Sequence, residues 1–423
     1  MTERLLQFIW QFQYYNIQEL YLSGGEQLQI IYPGTYNIHQ GPDFTQARIK
    51  INKTILAGSI ELHVKTSDWQ KHKHDEDQNY RNVILHVVWE NDQEDYNGVP
   101  ILSLQNRVHR SLLQQYEQWM KQPAFIPCNQ QVNKVSDLIW RGWKDRLLAE
   151  RLMRKSSTIQ QYLLQNNQHW EETFWWLLAR YFGTNVNASA FEAVARTIPV
   201  QILAKNRSRI HQLEALLLGQ AGLLNKEFEE DYPNLLKSEY KFLQKKYTLQ
   251  KSSEGVFFLR MRPVNFPTIR LAQLAMLIHQ SSRLFTEIKE TTELKTVQRM
   301  LNVTANDYWH YHYVLDEAST FKAKRVGAQM INSLVINSIC PMLFTYGLVM
   351  NDSACKTKAV RWLEETAAEK NTLTNGYARL GVSLQNACDS QALLELKTRY
   401  CDVRRCLDCN IGNALLKNTA MPQ

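Results

Sequence analysis

The sequence is poor in glycine and proline and has no low-complexity tract or internal repeat. Its 423 residues include 16 Gly and 11 Pro, while 44% are hydrophobic and 11% aromatic. Because apolar residues are abundant and chain-breaking residues are scarce, long disordered segments are excluded and two or three folded domains are expected.

The sequence also lacks the hydrophobic segments that direct a chain into or across a membrane. Its start, "MTERLLQFIW", places an acid and a base before the apolar residues and has no cleavage-site pattern of a signal peptide. The uncharged stretch over residues 326–351 is interrupted by four polar residues and a proline: Asn332, Ser333, Asn337, Ser338 and Pro341. Since hydrocarbon disfavours such side chains, we expect no membrane partner and a cytoplasmic protein.

Positive charge is scarce in the first part of the chain and abundant in the rest. Up to residue 125 there are 11 Lys and Arg against 14 Asp and Glu, whereas beyond it there are 38 against 27. Segments such as "WRGWKDRLLAERLMRK" and "KFLQKKY" interleave basic with aromatic residues. Such segments can contact phosphates and stack on unpaired bases, so nucleic acid is the expected partner, although ordinary solvated helix faces share this composition.

Cysteines are few, and three of the seven cluster near the C-terminus as Cys401-x4-Cys406-x2-Cys409. In a reducing compartment, thiolates so close in sequence can bind Zn²⁺ or an iron–sulfur cluster and fasten the C-terminal segment. The fourth ligand would be one of the remaining cysteines: Cys388, which comes first among the candidates, Cys355, Cys340 or Cys128. Buried thiols without a metal are the alternative interpretation.

The pattern of apolar residues divides the chain into two parts. The first part is predicted to contain, in order, a helix, three strands, a connection, a strand and a helix. Apolar and polar residues alternate in "DFTQARIKI" and "ILAGSIELHV", and the apolar segment "VILHVVW" predicts a central strand. After the proline-containing segment "QPAFIPCNQQV" the helical period dominates. The predicted fold class is α+β, with an α/β domain over residues 1–125 and a larger, basic, mostly α-helical domain over residues 126–423.

Two of the predicted strands would form a hairpin that brings polar side chains together. A three-residue loop at 51–53 sets Asp43 opposite Glu61, and a loop at 52–54 sets it opposite His63. In both registers these three residues share one face of the sheet, because side chains alternate along a strand. A two-residue loop would instead set Asp43 opposite Leu62, and Gly58 could introduce a bulge that changes the count.

The acidic pair of this hairpin suits a divalent metal. Carboxylates are hard ligands for Mg²⁺ or Mn²⁺, which can polarise a phosphoryl oxygen and activate a water. The element order, "GPDF" and "IELHVK" together resemble the PD-(D/E)xK nuclease superfamily, also called the restriction-endonuclease-like fold. The resemblance implies that Asp43 and Glu61 bind the metal and that His63 stands where the family has its catalytic lysine. Only near its pKa does a histidine resemble that permanent cation, so Lys65 on the same face is expected to assist.

An acidic residue from the first helix often completes such sites in this superfamily. Glu19 is the better candidate here and Glu26 the weaker one. The expected catalytic set is therefore Asp43, Glu61, His63, Lys65 and Glu19.

Several histidines follow the hairpin. The segment "HKHDED" supplies His72, His74, Asp75 and Asp77, and His86 lies inside the apolar strand "VILHVVW". The segment can be a second site for Zn²⁺, Fe²⁺ or Mn²⁺, or a polar loop over the sheet edge, which its composition favours. A histidine in so apolar a strand is expected to be buried and hydrogen-bonded.

Nearly the whole sequence also resembles a bacterial protein family of unknown function, on segments such as "GPDF", "ELHVKTSDW", "FGTNVNASAFE", "RPVNFPTIRLAQLA" and "CLDCNIGN". This second resemblance implies no activity, and the nuclease resemblance covers only the first quarter of the chain. The sequence therefore predicts a metal-dependent nuclease or a nuclease-derived protein. The alternatives are a non-catalytic nucleic-acid-binding module and a structural or protein-interaction protein.

Overall fold

The computed structural model describes residues 1–93, 98–281 and 283–420, and the chain divides into two compact units. The first unit comprises Met1–Trp143, Arg379–Val382 and Leu396–Gln423, and the second comprises Lys144–Ala378 and Ser383–Glu395. The protein is mixed α/β, with the main sheet in the N-terminal part and helices in the C-terminal part. The first unit continues past residue 125, where the predicted domain boundary lies, and that boundary stays a prediction.

The main sheet of the first unit has seven strands within the described residues. They are β1 (Leu20–Tyr21), β2 (Gln27–Tyr32), β3 (Thr35–Tyr36), β4 (Phe44–Ile51), β5 (Thr54–Lys65), β6 (Val83–Glu90) and β7 (Ile101–Ser103). Their order is β1-β2-β4-β5-β6-β7, with β3 beside β4. The pairs from β1 to β5 are antiparallel, whereas β6 runs parallel to both β5 and β7. The predicted hairpin and the predicted central strand are both present.

The turn of the hairpin differs from both predicted loops. Ile51 pairs with Thr54, so the loop has only two residues, and Asn52 takes a left-handed φ of 51°. Continued without interruption, this register would set Asp43 opposite Leu62. A bulge between Phe44 and Ala47 adds one residue to β4, so that Phe44 pairs with Ile60. The bulge returns Asp43 to the position opposite Glu61, for a reason that loop counting alone could not supply.

The described helices are α1 (Glu3–Gln11), α2 (Asp68–Lys71), α3 (Arg110–Lys121), α4 (Asp137–Gln165), α5 (Trp170–Phe182), α6 (Thr184–Thr197), α7 (Val200–Asn206), α8 (Ile210–Gln220), α9 (Asp231–Tyr247), α10 (Pro267–Gln280), α11 (Leu284–Glu290), α12 (Leu294–Leu301), α13 (Ala328–Leu334), α14 (Cys340–Val349), α15 (Ser353–Glu365), α16 (Thr372–Arg379), α17 (Ala387–Leu396) and α18 (Asn410–Ala420). Single π-helical turns at Val335–Ile339 and Lys397–Cys401 follow α13 and α17. A two-stranded sheet, β8 (His312–Val314) with β9 (Glu317–Ala318), lies among the helices of the second unit.

Helix α1 packs against β5 and covers the sheet. It begins after Thr2, whose hydroxyl oxygen accepts a hydrogen bond from the Leu5 main-chain N–H over 3.3 Å. Leu6 and Ile9 are fully buried at helical spacing, so their side chains fix which face of α1 meets the strands. The polar residues Glu3 and Gln7 lie one turn apart on α1, and the side-chain amide of Gln7 donates to Asp43 just before β4.

The second unit packs its helices around a continuous apolar core. One described helical segment, Ala328–Val349, is long and apolar enough to cross a membrane, and 67% of that apolar window is buried inside the protein. This segment includes the polar residues that interrupt the uncharged stretch of the sequence. The predicted cytoplasmic location stays a prediction.

Candidate metal centre

Three buried polar side chains come from the two central strands of the sheet. Glu61 and His63 lie two residues apart on β5, and Glu61 is in register with His86 of the parallel strand β6. The exposed fractions of Glu61, His63 and His86 are 5%, 1% and 3%. Because buried polar groups must find partners, three of them side by side indicate a functional or polar-network site at this end of the sheet.

Asp43 and Glu61 are joined across the hairpin. The main-chain N–H of Asp43 donates to Glu61 Oε2 over 2.9 Å, and the N–H of Leu62 donates to Asp43 Oδ2 over 3.2 Å. The side-chain amide of Gln7 in α1 donates to Asp43 Oδ1 over 2.7 Å. Both oxygens of Asp43 are thus held in fixed directions, and the predicted acidic pair is together in space.

The side chains of four residues converge beside this acidic pair: Glu61, His63, His72 and His74. His63 Nε2 lies 3.1 Å from His72 Nδ1 and 3.3 Å from His74 Nε2. Glu61 Oε1 lies 3.6 Å from His63 Nε2 and 3.5 Å from His74 Nε2. On its other side, His63 Nδ1 lies 2.9 Å from His86 Nε2. The three imidazole nitrogens all lie within 4.8 Å of one another, which is a spacing that could hold a metal ion.

The convergence depends on the local path of the chain after β5. His72 closes α2 and His74 opens a short 3₁₀ helix, while Lys73 between them takes a left-handed φ of 58°. The reversal turns both rings inwards, whereas the sequence favours a polar loop over the sheet edge. The ring of Trp69 packs beside two of the imidazoles, with its centroid 5.3 Å from that of His74 and 5.0 Å from that of His86. The ring of Trp69 therefore lines one side of the centre, and the exposed His72 lies on the side that is open to solvent.

Burial sets the charge state of the centre. It raises the pKa of Asp43 and of Glu61 above the ordinary range, and for Glu61 the neighbouring charge of Asp43 adds to the effect. Burial, together with the neighbouring imidazoles, lowers the pKa of His63 to about 2 and that of His86 to about 4. Desolvation also lowers the pKa of His74. Acids that resist losing a proton and imidazoles that resist gaining one form a site whose atoms are suited to share a cation.

The remaining predicted catalytic residues lie apart from this convergence. Lys65 extends from β5 to Glu90 at 3.8 Å, and both side chains are 45% exposed. Glu19 lines a separate cavity of about 380 Å³ with Lys50. The first-helix acid near the centre is instead Glu3, whose charge contributes to the raised pKa values of Asp43 and Glu61.

Sequence reasoning missed several contributors to the centre. The motif spacing does not point to Glu3 and Gln7 at the start of α1. Their separation of four residues on a helix whose other face is apolar was the available signal. The sequence places His72 and His74 just after the hairpin, but it does not predict the left-handed turn that folds them back towards β5.

The C-terminal cysteines are spread over both units. Cys401, Cys406 and Cys409 belong to the first unit, where Cys128 interacts electrostatically with Cys406 and Cys409, and Cys388 belongs to the second unit. Burial raises the pKa of the Cys406 and Cys409 thiols to about 12 and about 11. Among the described residues, the group with three ligand atoms within 4.8 Å of one another is the histidine set and does not include these thiols. A metal at the cysteines stays a prediction.

The fold and the centre define a mixed α/β protein in which imidazole and carboxyl groups converge at one end of a sheet. Residues 3–372 match the family described as "Protein of unknown function (DUF2851)", and the chain belongs to this family. No curated protein and no solved structure matches the chain.

Proposed function

We propose that the first unit holds a divalent metal ion beside Glu61 and hydrolyses phosphodiester bonds of DNA or RNA. The observation that carries this proposal is the acidic pair of the half-buried Asp43 and the buried Glu61, in which the Asp43 N–H donates to Glu61 Oε2 over 2.9 Å, directly beside the imidazole cluster. Paired carboxyl groups next to further ligand atoms are the arrangement that metal-dependent phosphoryl chemistry requires.

The order of the elements supports a nuclease-type fold. Helix α1 is followed by the antiparallel strands β2, β4 and β5, then by a connection, the parallel strand β6 and, after β7, helix α3. This is the order on which the resemblance to the PD-(D/E)xK superfamily rests. Asp43 and Glu61 stand at the positions that bind the metal in that superfamily.

The proposed roles follow from the contacts of each side chain. A bound divalent ion would polarise a phosphoryl oxygen and activate a water. Gln7 and the Leu62 N–H keep the Asp43 carboxyl group in one orientation, and Glu61 presents Oε1 to the imidazoles. His63 is neutral, so it supplies a lone pair where the superfamily has a cation.

Cleavage assays test the proposal. The full chain, supplied with Mn²⁺, is incubated with linear, nicked, branched and single-stranded DNA and with RNA. We expect cleavage of at least one substrate and its loss in the near-isosteric variants Asp43→Asn and Glu61→Gln. The exposed carboxyl group of Glu117 in the same unit provides the control, since Glu117→Gln should cleave like the natural chain. Equal activity in all four proteins would refute the assignment.

A second candidate function is nucleic-acid binding without catalysis. It is favoured by the histidine at the lysine position and by the excess of positive charge beyond residue 125. Binding that weakens as salt rises, with no cleavage of any substrate, would select this function. Neither binding nor cleavage would leave a structural or protein-interaction role.

A further inference from the structure

We infer that Glu61, His63, His72 and His74 form a single binding site for a divalent transition-metal ion of the Zn²⁺, Fe²⁺ or Mn²⁺ class, not for Mg²⁺. The inference deepens the proposed function and rests on it only for the purpose of the ion, since binding can be measured without catalysis. It replaces the ligand set of two carboxylates expected from the sequence with one carboxylate and three imidazoles.

The spacing of the ligand atoms around His63 Nε2 fits one ion. Atoms that share an ion with bonds of about 2.0–2.2 Å lie about 3–3.5 Å from one another in tetrahedral or octahedral arrangements. His63 Nε2 lies 3.1 Å from His72 Nδ1 and 3.3 Å from His74 Nε2. Glu61 Oε1 lies 3.5 Å from His74 Nε2 and 3.6 Å from His63 Nε2. Glu61 Oε1, His63 Nε2 and His74 Nε2 thus already have the mutual distances of ligands to one ion, and His72 Nδ1 joins them through its contact with His63.

A cation satisfies this arrangement without depending on one particular set of imidazole tautomers. A neutral imidazole has one N–H, so His63 can donate from Nδ1 or from Nε2 but not from both. If the proton is on Nε2, it can serve only one of the three atoms around it, and the Nδ1 lone pair faces His86. If the proton is on Nδ1, the Nε2 lone pair faces His72, His74 and Glu61. A metal ion accepts all four lone pairs at once.

His86 acts as a positioning residue for this site. Its Nε2 lies 2.9 Å from His63 Nδ1, and its side chain is held on β6 beside Glu61 and against Trp69. When His86 Nε2 accepts the Nδ1 proton of His63, the tautomer with a free Nε2 is fixed and aimed at the ion. Such partners of metal-binding histidines set ring orientation and raise ligand basicity.

The donor set decides the class of ion. Mg²⁺ takes oxygen ligands and keeps several waters, whereas imidazole suits Zn²⁺, Fe²⁺ and Mn²⁺. Three nitrogens and one oxygen therefore select against Mg²⁺. His63, His74 and Glu61 form the buried side of the site, while the exposed His72 lies on the side that opens to solvent.

Metal titration of the full chain tests the inference. Protein stripped with a chelator is titrated with Zn²⁺, Co²⁺, Mn²⁺ and Mg²⁺ by calorimetry, and Co²⁺ binding is also followed by visible absorption. We expect about one Zn²⁺ or Co²⁺ per chain and no competition from millimolar Mg²⁺. Loss of a ligand in His72→Ala should weaken Zn²⁺ binding at least about 100-fold. The exposed His39 lies outside the cluster, so His39→Ala should bind like the natural chain.

The positioning role has its own variants. His86→Phe removes the acceptor and should weaken binding about 10- to 100-fold, while His86→Gln keeps an acceptor oxygen and should restore most of it. Circular dichroism of each variant establishes that it is folded before titration. Binding unchanged in His72→Ala, or Mg²⁺ displacing Co²⁺ at equal concentration, would overturn the inference. Tight Zn²⁺ binding without any cleavage would uphold it and refute the hydrolase, whereas cleavage with Mg²⁺ and no ion at the imidazoles would do the reverse.

Discussion

His63 shows how one side chain can set the chemistry of a centre. Its imidazole is 1% exposed, and burial together with His86 and His74 lowers its pKa to about 2. A lysine at this position would bring a positive charge, whereas His63 stays neutral and offers a nitrogen lone pair. The imidazole therefore places its Nε2 atom 3.1 Å from His72 Nδ1 and 3.3 Å from His74 Nε2, where a lysine would place a positive charge.

A second buried carboxyl group, in the other unit, gives a pH-dependent prediction. Glu214 Oε2 accepts hydrogen bonds from Tyr232 Oη and Trp309 Nε1, and Oε1 has no hydrogen-bond partner among the described residues. Burial raises the pKa of Glu214 from 4.5 to about 7. Because the folded-state pKa is the higher one, Glu214 stabilises the fold fully below pH 4.5 and loses this contribution as the pH rises to about 7.

We expect Glu214→Gln to remove this pH dependence. Between pH 5 and 7 the free energy of unfolding of the natural chain should fall by about 2 kcal/mol relative to the variant. Urea denaturation across this range measures the difference, with the exposed substitution Glu254→Gln as control. Parallel curves for the natural chain and Glu214→Gln would show that the carboxyl group does not titrate as described.

At the scale of elements, the bulge in β4 determines which residue faces Glu61. Gln46 within it has a left-handed φ of 59° and an exposed side chain. A β-branched residue is strained in that conformation, so Gln46→Val should lower the free energy of unfolding by about 1–2 kcal/mol. Arg48→Val, at an exposed strand position without positive φ, should change it by less than about 0.5 kcal/mol. Equal effects of the two substitutions would mean that the bulge is not strained.

The contact between β5 and the start of β6 requires a glycine. A Cβ added at Gly58 would lie 2.5 Å from the main-chain oxygen of Asn82 and 2.6 Å from Ile84 Cγ2. Gly58→Ala should therefore destabilise the fold by about 1–3 kcal/mol, because main-chain atoms must move. Gly142→Ala is the matched control, since an added Cβ there meets nothing within 4 Å and α4 should gain about 0.5–1 kcal/mol. Thermal unfolding of both variants distinguishes these opposite signs.

Strands β4, β5 and β6 show how much of the fold and of the centre the sequence predicts. Alternation of apolar residues predicted β4 and β5, and the continuous apolar run "VILHVVW" predicted β6, because such patterns depend on neighbouring residues alone. The acidic pair was predicted through loops that do not occur, since the two-residue turn and the bulge compensate each other. His72 and His74 could not be assigned to the centre, because their positions depend on the left-handed Lys73 and on packing against Trp69.

At the scale of the whole molecule, the first unit is assembled from both ends of the chain. Arg4 donates to both carboxyl oxygens of Asp408 over 2.7 and 2.6 Å, and Tyr14 donates to Asn413. Helix α18 packs on α3 and buries Leu416 completely. The unit that carries the candidate centre therefore depends on residues 396–420, which lie beyond the range matched by the family.

Removing one of these contacts should destabilise the first unit. Leu416→Ala leaves a cavity and should lower the free energy of unfolding by about 2–5 kcal/mol, whereas Lys417→Ala on the exposed face of α18 should have little effect. Native-state hydrogen exchange of amides in β5 and β6 measures the loss of stability in the two strands that carry the centre. Unchanged protection of these strands in Leu416→Ala would contradict the dependence of the sheet on the C-terminal helix.

Anomalous diffraction from crystals of the full chain grown with Zn²⁺ tests the central claim most directly, because it locates the ion and identifies its ligands. The account predicts one strong peak at the zinc edge, with bonds of about 2.0–2.2 Å to His63 Nε2, His72 Nδ1 and His74 Nε2 and to an oxygen of Glu61. A fully occupied ion elsewhere in the chain, with these imidazoles hydrogen-bonded only to one another, would contradict it.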